Sequence, residues 1–221
     1  MKKLIIFLGV LFSVNAVFGQ TLKPVKIDSL VTVSLPAVYS KKDTLGQQLL
    51  SANTDFGYMV AIREPNAKGN QPLQKEKDLN SVLKNYIKSI QTQSQGGSAQ
   101  FVRDTTVGTL KSKAFTLVMK DANGDEQFRN FVLLYTKDVT YTFEYGYNGA
   151  RKEMVKDESK AFLSSIRLSP ELQRNDQYVD TTGKSSAGIS TVGIIAIAGG
   201  IVLILGIGWL IYKKKNNNEF A

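Results

Sequence analysis

Proton transfer and nucleophilic attack in proteins draw on a short list of side chains. Two of the most versatile, histidine and cysteine, are absent from this 221-residue sequence. Their absence excludes Ser-His-Asp and Cys-His catalysis, zinc sites built on Cys or His, haem with a His axial ligand, and disulfide cross-links. Carboxylates, hydroxyls, amines and phenols remain. Asp55, Glu64, Asp104 and Glu144 are the carboxylates to consider for paired acid–base work of the glycosidase kind. They fall on different predicted elements, and nothing in their spacing brings two together. Glu144 lies opposite the aromatic side of its strand, which predicts a solvated or edge position. The run Asp121-Ala122-Asn123-Gly124-Asp125-Glu126 gathers oxygen donors in the manner of a calcium loop. An EF-hand places Gly sixth and a bidentate Glu twelfth, whereas here Gly is fourth and the twelfth residue is Val132, inside a predicted strand. Asn123-Gly124 instead reads as a hairpin turn, because both residues tolerate positive φ. No Gly-x-Ser-x-Gly elbow and no phosphate-cradling glycine loop occurs. No catalytic residue, cofactor or metal ligand is assigned. The sequence also does not reveal a specific partner.

One aromatic run stands out for contact rather than catalysis. Tyr141, Phe143, Tyr145 and Tyr147 alternate along one predicted strand. Packing under a helix is the ordinary use of such a face. Tyr145 and Tyr147, nearest the strand end, are the candidates for a contact surface, since tyrosine suits contacts with one wet end.

These residues must be positioned by a folded domain, and the two ends of the chain say where that domain sits. Residues 1–19 place Lys2 and Lys3 before an apolar stretch from Leu4 to about Val17, the layout of a signal peptide. No cysteine follows it to carry a lipid. Residues 189–212 carry no formal charge and are followed at once by Lys213-Lys214-Lys215. A helix of that length crosses a hydrocarbon core of ~30 Å, and Trp209 and Tyr212 sit where amphipathic rings favour the headgroups. The positive-inside bias assigns the tail, 213–221, to the cytoplasm and the domain to the outside of a bacterial inner membrane. Within the span, Gly193, Ala196 and Gly200 share a face of small residues suited to close helix packing.

The formal net charge is +9. Setting aside Lys2, Lys3, Lys213 to Lys215 and Glu219 leaves 23 basic and 18 acidic side chains. No dense basic run with interleaved aromatics is present, so no nucleic-acid partner is expected.

Residues 20–168 have the periodicities of an α+β domain. Period-2 alternation predicts strands over Val25–Leu35, Gln47–Ser51 and Phe56–Ile62. Leu79, Val82, Leu83, Tyr86, Ile87 and Ile90 fall at helical spacing and predict a helix from Lys75 to Gln93, with Asp78 as its cap. A meander follows, over Gln100–Val107, Lys111–Lys120, Glu126–Tyr135 and Val139–Tyr147, and then a helix from Ala150 to Arg167 stopped by Pro170. Residues 169–188 are polar and read as a flexible linker spanning roughly 25 Å. The expected architecture is an antiparallel sheet of about six to seven strands packed against two helices, plus the C-terminal span.

The opening strand ending in Val33-Ser34-Leu35-Pro36, the segment Phe56–Ile62, the amphipathic helix, the meander and the closing Phe162–Leu168 together resemble the PsbP-like fold over about Val25 to Leu168. That fold is shared by the PsbP subunit of photosystem II, a Ran-binding nuclear protein and many bacterial secreted proteins. The resemblance implies an accessory or binding role by fold analogy alone. The metal sites proposed for PsbP involve histidine, so the resemblance transfers no functional residue to this chain. The leading expectation is therefore a non-enzymatic, membrane-tethered domain that contacts a protein partner in the cell envelope. The alternatives are a binding module for a small apolar or lipid ligand, and an enzyme using only carboxylate, Ser, Lys or Tyr groups.

Overall fold

Alternating apolar residues make each strand of the meander two-faced, and the protein uses both faces. The structure, a computed structural model, describes residues 21–44, 46–67, 72–94 and 96–179. The expected signal peptide, the span with Gly193, Ala196 and Gly200, and the tail lie outside the described residues. No helix among the described residues is long and apolar enough to cross a membrane.

Ten strands form two sheets. The first strands are β1 (Lys23–Lys26), β2 (Val31–Leu35), β3 (Ser40–Thr44), β4 (Gln47–Asn53) and β5 (Gly57–Pro65). Helix α1 (Glu76–Gln93) leads to the meander of β6 (Ser98–Val107), β7 (Leu110–Lys120), β8 (Glu126–Tyr135) and β9 (Val139–Asn148). Helix α2 (Lys156–Ser164) and the short β10 (Arg167–Leu168) close the domain. The main sheet has seven strands in the order β3-β4-β5-β9-β8-β7-β6, and β1-β2-β10 form a separate three-stranded sheet. Every adjacent pair is antiparallel.

Two cores follow from the alternation. On one face of the seven-stranded sheet, Val60, Ile62, Phe115, Leu117, Phe131 and Leu133 meet the apolar stripe of α1. All six predicted stripe residues of α1 are buried. On the other face, Tyr141, Phe143, Tyr145 and Tyr147 of β9 meet β2 and α2 through Val31, Val33, Leu35, Val155 and Phe162. The two helices thus lie on opposite faces of the sheet.

Several boundaries differ from the expectations. Asp78 is not the residue before α1 but sits in its first turn, where its carboxylate accepts the Lys75 backbone N–H at 3.0 Å. The predicted opening strand is broken into β1 and β2, because the Asp28 carboxylate accepts from Leu30 and Val31 N–H at 2.8 and 2.9 Å and turns the chain. Strand β3, Ser-Lys-Lys-Asp-Thr, is exposed at every position, so no hydrophobic period announced it. The last helix is shorter than Ala150 to Arg167: a 3-10 turn at Gly149–Arg151 precedes α2.

The first part of the expected linker is also not a tether. Leu172, Gln177 and Tyr178 are buried, Gln177 almost completely. Gln177 accepts the Lys111 N–H through Oε1 at 2.8 Å, and its Nε2 donates to the carbonyls of Lys111 at 2.7 Å and Tyr135 at 2.9 Å. Polar composition hid this because a glutamine amide can complete backbone hydrogen bonding as a strand residue does. Residues 180–188 lie outside the described residues.

Candidate functional site

The carboxylates singled out by sequence end in separate places. Glu144, expected at a solvated or edge position, is completely buried on the α1 face of the sheet. Arg129 on the neighbouring β8 grips it bidentately, Nε to Oε1 and Nη2 to Oε2, both at 2.6 Å. Burial disfavours the guanidinium charge, but Glu144 more than compensates and holds Arg129 firmly protonated. Tyr58 of β5 lies against Gly146 beside this pair, and burial pushes its hydroxyl well above the ordinary phenol range. Both oxygens of Glu144 are thus engaged by Arg129 and out of reach of solvent.

Glu64 is buried near the start of β9, where the Tyr86 hydroxyl donates to Oε2 at 3.1 Å and Thr142 donates to that tyrosine at 3.2 Å. Burial raises its pKa, opposed by the hydrogen bonds from Tyr86 and Gln47. Asp104 is exposed and pairs with Lys113. Asp55 is exposed as well. The run from Asp121 to Glu126 forms the β7–β8 turn, with Asn123 and Asp125 N–H donating to Asp121 Oδ1 and Gly124 at φ 88°. Among the described residues, no group of three or more acidic side chains is placed to hold a metal. Ser81 and Lys84 have the Ser-x-x-Lys spacing, but they sit toward the outer side of α1, where Ser81 donates its hydroxyl to the Lys77 carbonyl at 3.0 Å.

Tyr145 is not a surface residue. It is fully buried and its hydroxyl donates to Glu158 at 2.8 Å. Tyr147 is nearly buried but borders a cavity of about 570 Å³ between α2 and strands β6 to β8. Arg103 of β6 lines one wall, and Lys152, Lys156 and Lys160 line the α2 side. Beneath them run Thr116, Asn130 and Ser159, joined by hydrogen bonds of 2.8 Å from Thr116 Oγ1 to Asn130 Oδ1 and 3.3 Å from Asn130 Nδ2 to Ser159 Oγ. The lysines are four residues apart, a spacing that also describes any solvated helix face. The cavity is what sets them apart, and no single sequence position reveals it.

Beside this cavity, the free edge of the main sheet is interrupted. Pairing of β6 with β7 slips between Gln100 and Arg103. At the slip Phe101 has φ 53°, in the left-handed region, and is 72% exposed, while Val102 is 47% exposed. A bulge of this kind re-aims side chains and ends regular pairing at a sheet edge. Sequence reading took Phe101 and Val102 as ordinary members of an alternating strand.

The described residues form a small α+β domain with a doubly covered antiparallel sheet, an open cationic cavity and an apolar bulge at the sheet edge. Its fold is PsbP-like. The solution structure of cyanobacterial PsbP (CyanoP) from Synechocystis superposes with a TM-score of 0.50 at 13% identity, covering 71% of this chain and 98% of that one. A crystal structure from Bacteroides thetaiotaomicron is matched with a TM-score of 0.37 at 12% identity, over 64% of this chain and 46% of the other. No protein-family model matches the sequence, and no curated protein matches it.

Proposed function

We propose that the protein is a non-enzymatic accessory domain of a bacterial envelope, held to the inner membrane by the span at 189–212 and acting through contact with a protein partner. The observation that carries this reading is the β6 bulge. A phenylalanine held at positive φ with most of its ring in water costs the fold both backbone strain and apolar exposure. Aromatic and arginine side chains are the usual anchors of protein interfaces, and Phe101 and Arg103 supply one of each at an open sheet edge. The PsbP-like fold is compatible with such a role, and the burial of Glu144 against Arg129 and of Glu64 against Tyr86 favours it over acid–base catalysis. An apolar-ligand module is less well supported, because the α1 face is packed with side chains and the open cavity is lined by cations.

The test is a photo-crosslinking amino acid at position 101 of the full-length chain, irradiated in its native membrane and read by mass spectrometry. A discrete protein adduct at 101, absent when the same group is placed at Lys42 on the opposite sheet edge, is the expected result. Equal, diffuse labelling at both positions would count against a partner at this edge.

A further inference from the structure

We propose that the cavity between α2 and strands β6 to β8 is a binding site for a phosphate-bearing group. Four cationic side chains line it, and they come from two walls: Arg103 from the sheet, and Lys152, Lys156 and Lys160 from the α2 segment. Lys156 and Lys160 are separated by about 6 Å of helix rise, so their ammonium groups can reach one compact anion. Arg103 brings a planar fork suited to two phosphate oxygens.

The charges are poorly neutralised within the protein. Arg103 and Lys160 form no ion pair among the described residues. Lys152 sits 5.7 Å from the centre of the Phe128 ring, a contact that leaves its charge uncancelled. Lys156 pairs with Glu153 at 2.5 Å, but both side chains are mostly in water, at 63% and 77% exposure. A solvent-screened pair of this kind contributes little, so an incoming anion can displace Glu153 easily.

The rest of the lining fits the same ligand. Thr105 and Thr116 place hydroxyls on the sheet side, and Tyr147, Val155 and Leu163 provide an apolar base for an uncharged portion. A volume of about 570 Å³ lies in the range of sites that enclose small molecules. Lys41 and Lys42 lie on the exposed edge strand β3 and do not line this cavity. The phosphate could come from a soluble metabolite or from the headgroup of an anionic lipid, since the same chemistry recognises both.

The site shares Arg103 with the partner surface but does not use Phe101, and Lys152, Lys156 and Lys160 belong to it alone, so Lys160→Gln tests it separately from the partner reading. The experiment is calorimetric titration of the full-length protein with inorganic pyrophosphate at low ionic strength, in nanodiscs of phosphatidylcholine and of phosphatidylglycerol. Saturable one-to-one binding in phosphatidylcholine is expected. Arg103→Gln and Lys160→Gln should each weaken it at least tenfold with unchanged melting temperature, while Lys41→Gln leaves it intact. Equal binding in both discs assigns a soluble ligand, and loss of binding in phosphatidylglycerol assigns the headgroup. Absence of saturable binding, or binding indifferent to both cavity substitutions, overturns the proposal. So does an acidic peptide that outcompetes pyrophosphate at equal charge.

Discussion

Arg129 and Glu144 carry opposite charges into a layer otherwise built from Val60, Ile62, Phe131 and Leu133. Two hydrogen bonds of 2.6 Å satisfy the carboxylate, and the guanidinium also lies 5.2 Å from the centre of the Phe131 ring. The desolvation of both ions offsets much of their attraction, so the pair matters most when it is broken. Arg129→Met removes the counter-charge of Glu144 and leaves only the Tyr58 hydroxyl beside it, and should cost about 3–5 kcal/mol, read as a lowered urea midpoint. Adding Glu144→Leu to it should restore most of that loss. If the double variant is as unstable as the single one, the pair contributes to packing or specificity beyond charge compensation.

At the scale of elements, long periodic segments were legible and short or polar ones were not. Helix α1, the β7–β8 hairpin and the aromatic face of β9 lie where the apolar period and the Asn-Gly turn put them. Strand β3 carries no apolar period at all, and β1 separates from β2 through a single carboxylate-capped turn at Asp28. The bulge in β6 has a further signature that no residue type announces. Phe101 pays for its left-handed backbone, a conformation that costs a residue with a side chain about 1–2 kcal/mol. Phe101→Gly should therefore leave the melting temperature unchanged or raise it slightly, while abolishing the crosslink to the partner from a photo-crosslinking amino acid placed at position 102. A loss of stability instead would show that the exposed ring packs usefully on the domain.

At the scale of the whole molecule, half-buried Asp28 and buried Glu64 set opposite pH slopes. Burial raises the Asp28 pKa, but Tyr141, the Leu30 and Val31 N–H groups and Arg63 outweigh it and hold the carboxyl below the usual range. Its contribution is thus fully present above about pH 4 and is lost as pH falls through the lowered value. Glu64 has a raised value, so its protonation favours the folded state and partly offsets that loss. Asp28→Asn should cost about 1.5–3 kcal/mol near neutrality, with the difference from the natural protein shrinking below about pH 4. Chemical denaturation across pH checks this, and a difference that stays constant down to pH 2 would contradict the assignment. The candidate sites belong to this scale too. Arg103 and the α2 lysines are brought together only by packing α2 over the sheet, so their separate positions in the chain could not show a shared cavity.

The clasp made by Gln177 has a mechanical consequence. Force transmitted through the C-terminal end of the domain reaches Gln177 and Tyr178 before it reaches any strand of the main sheet. The Gln177 amide bridges Lys111 at the start of β7 and Tyr135 at the end of β8, so the load is shared by two central strands rather than peeled from an edge. Pulled from this end, the domain would lose the bond from Val179 N–H to the Leu73 carbonyl and then the Gln177 clasp before any strand of the main sheet is loaded.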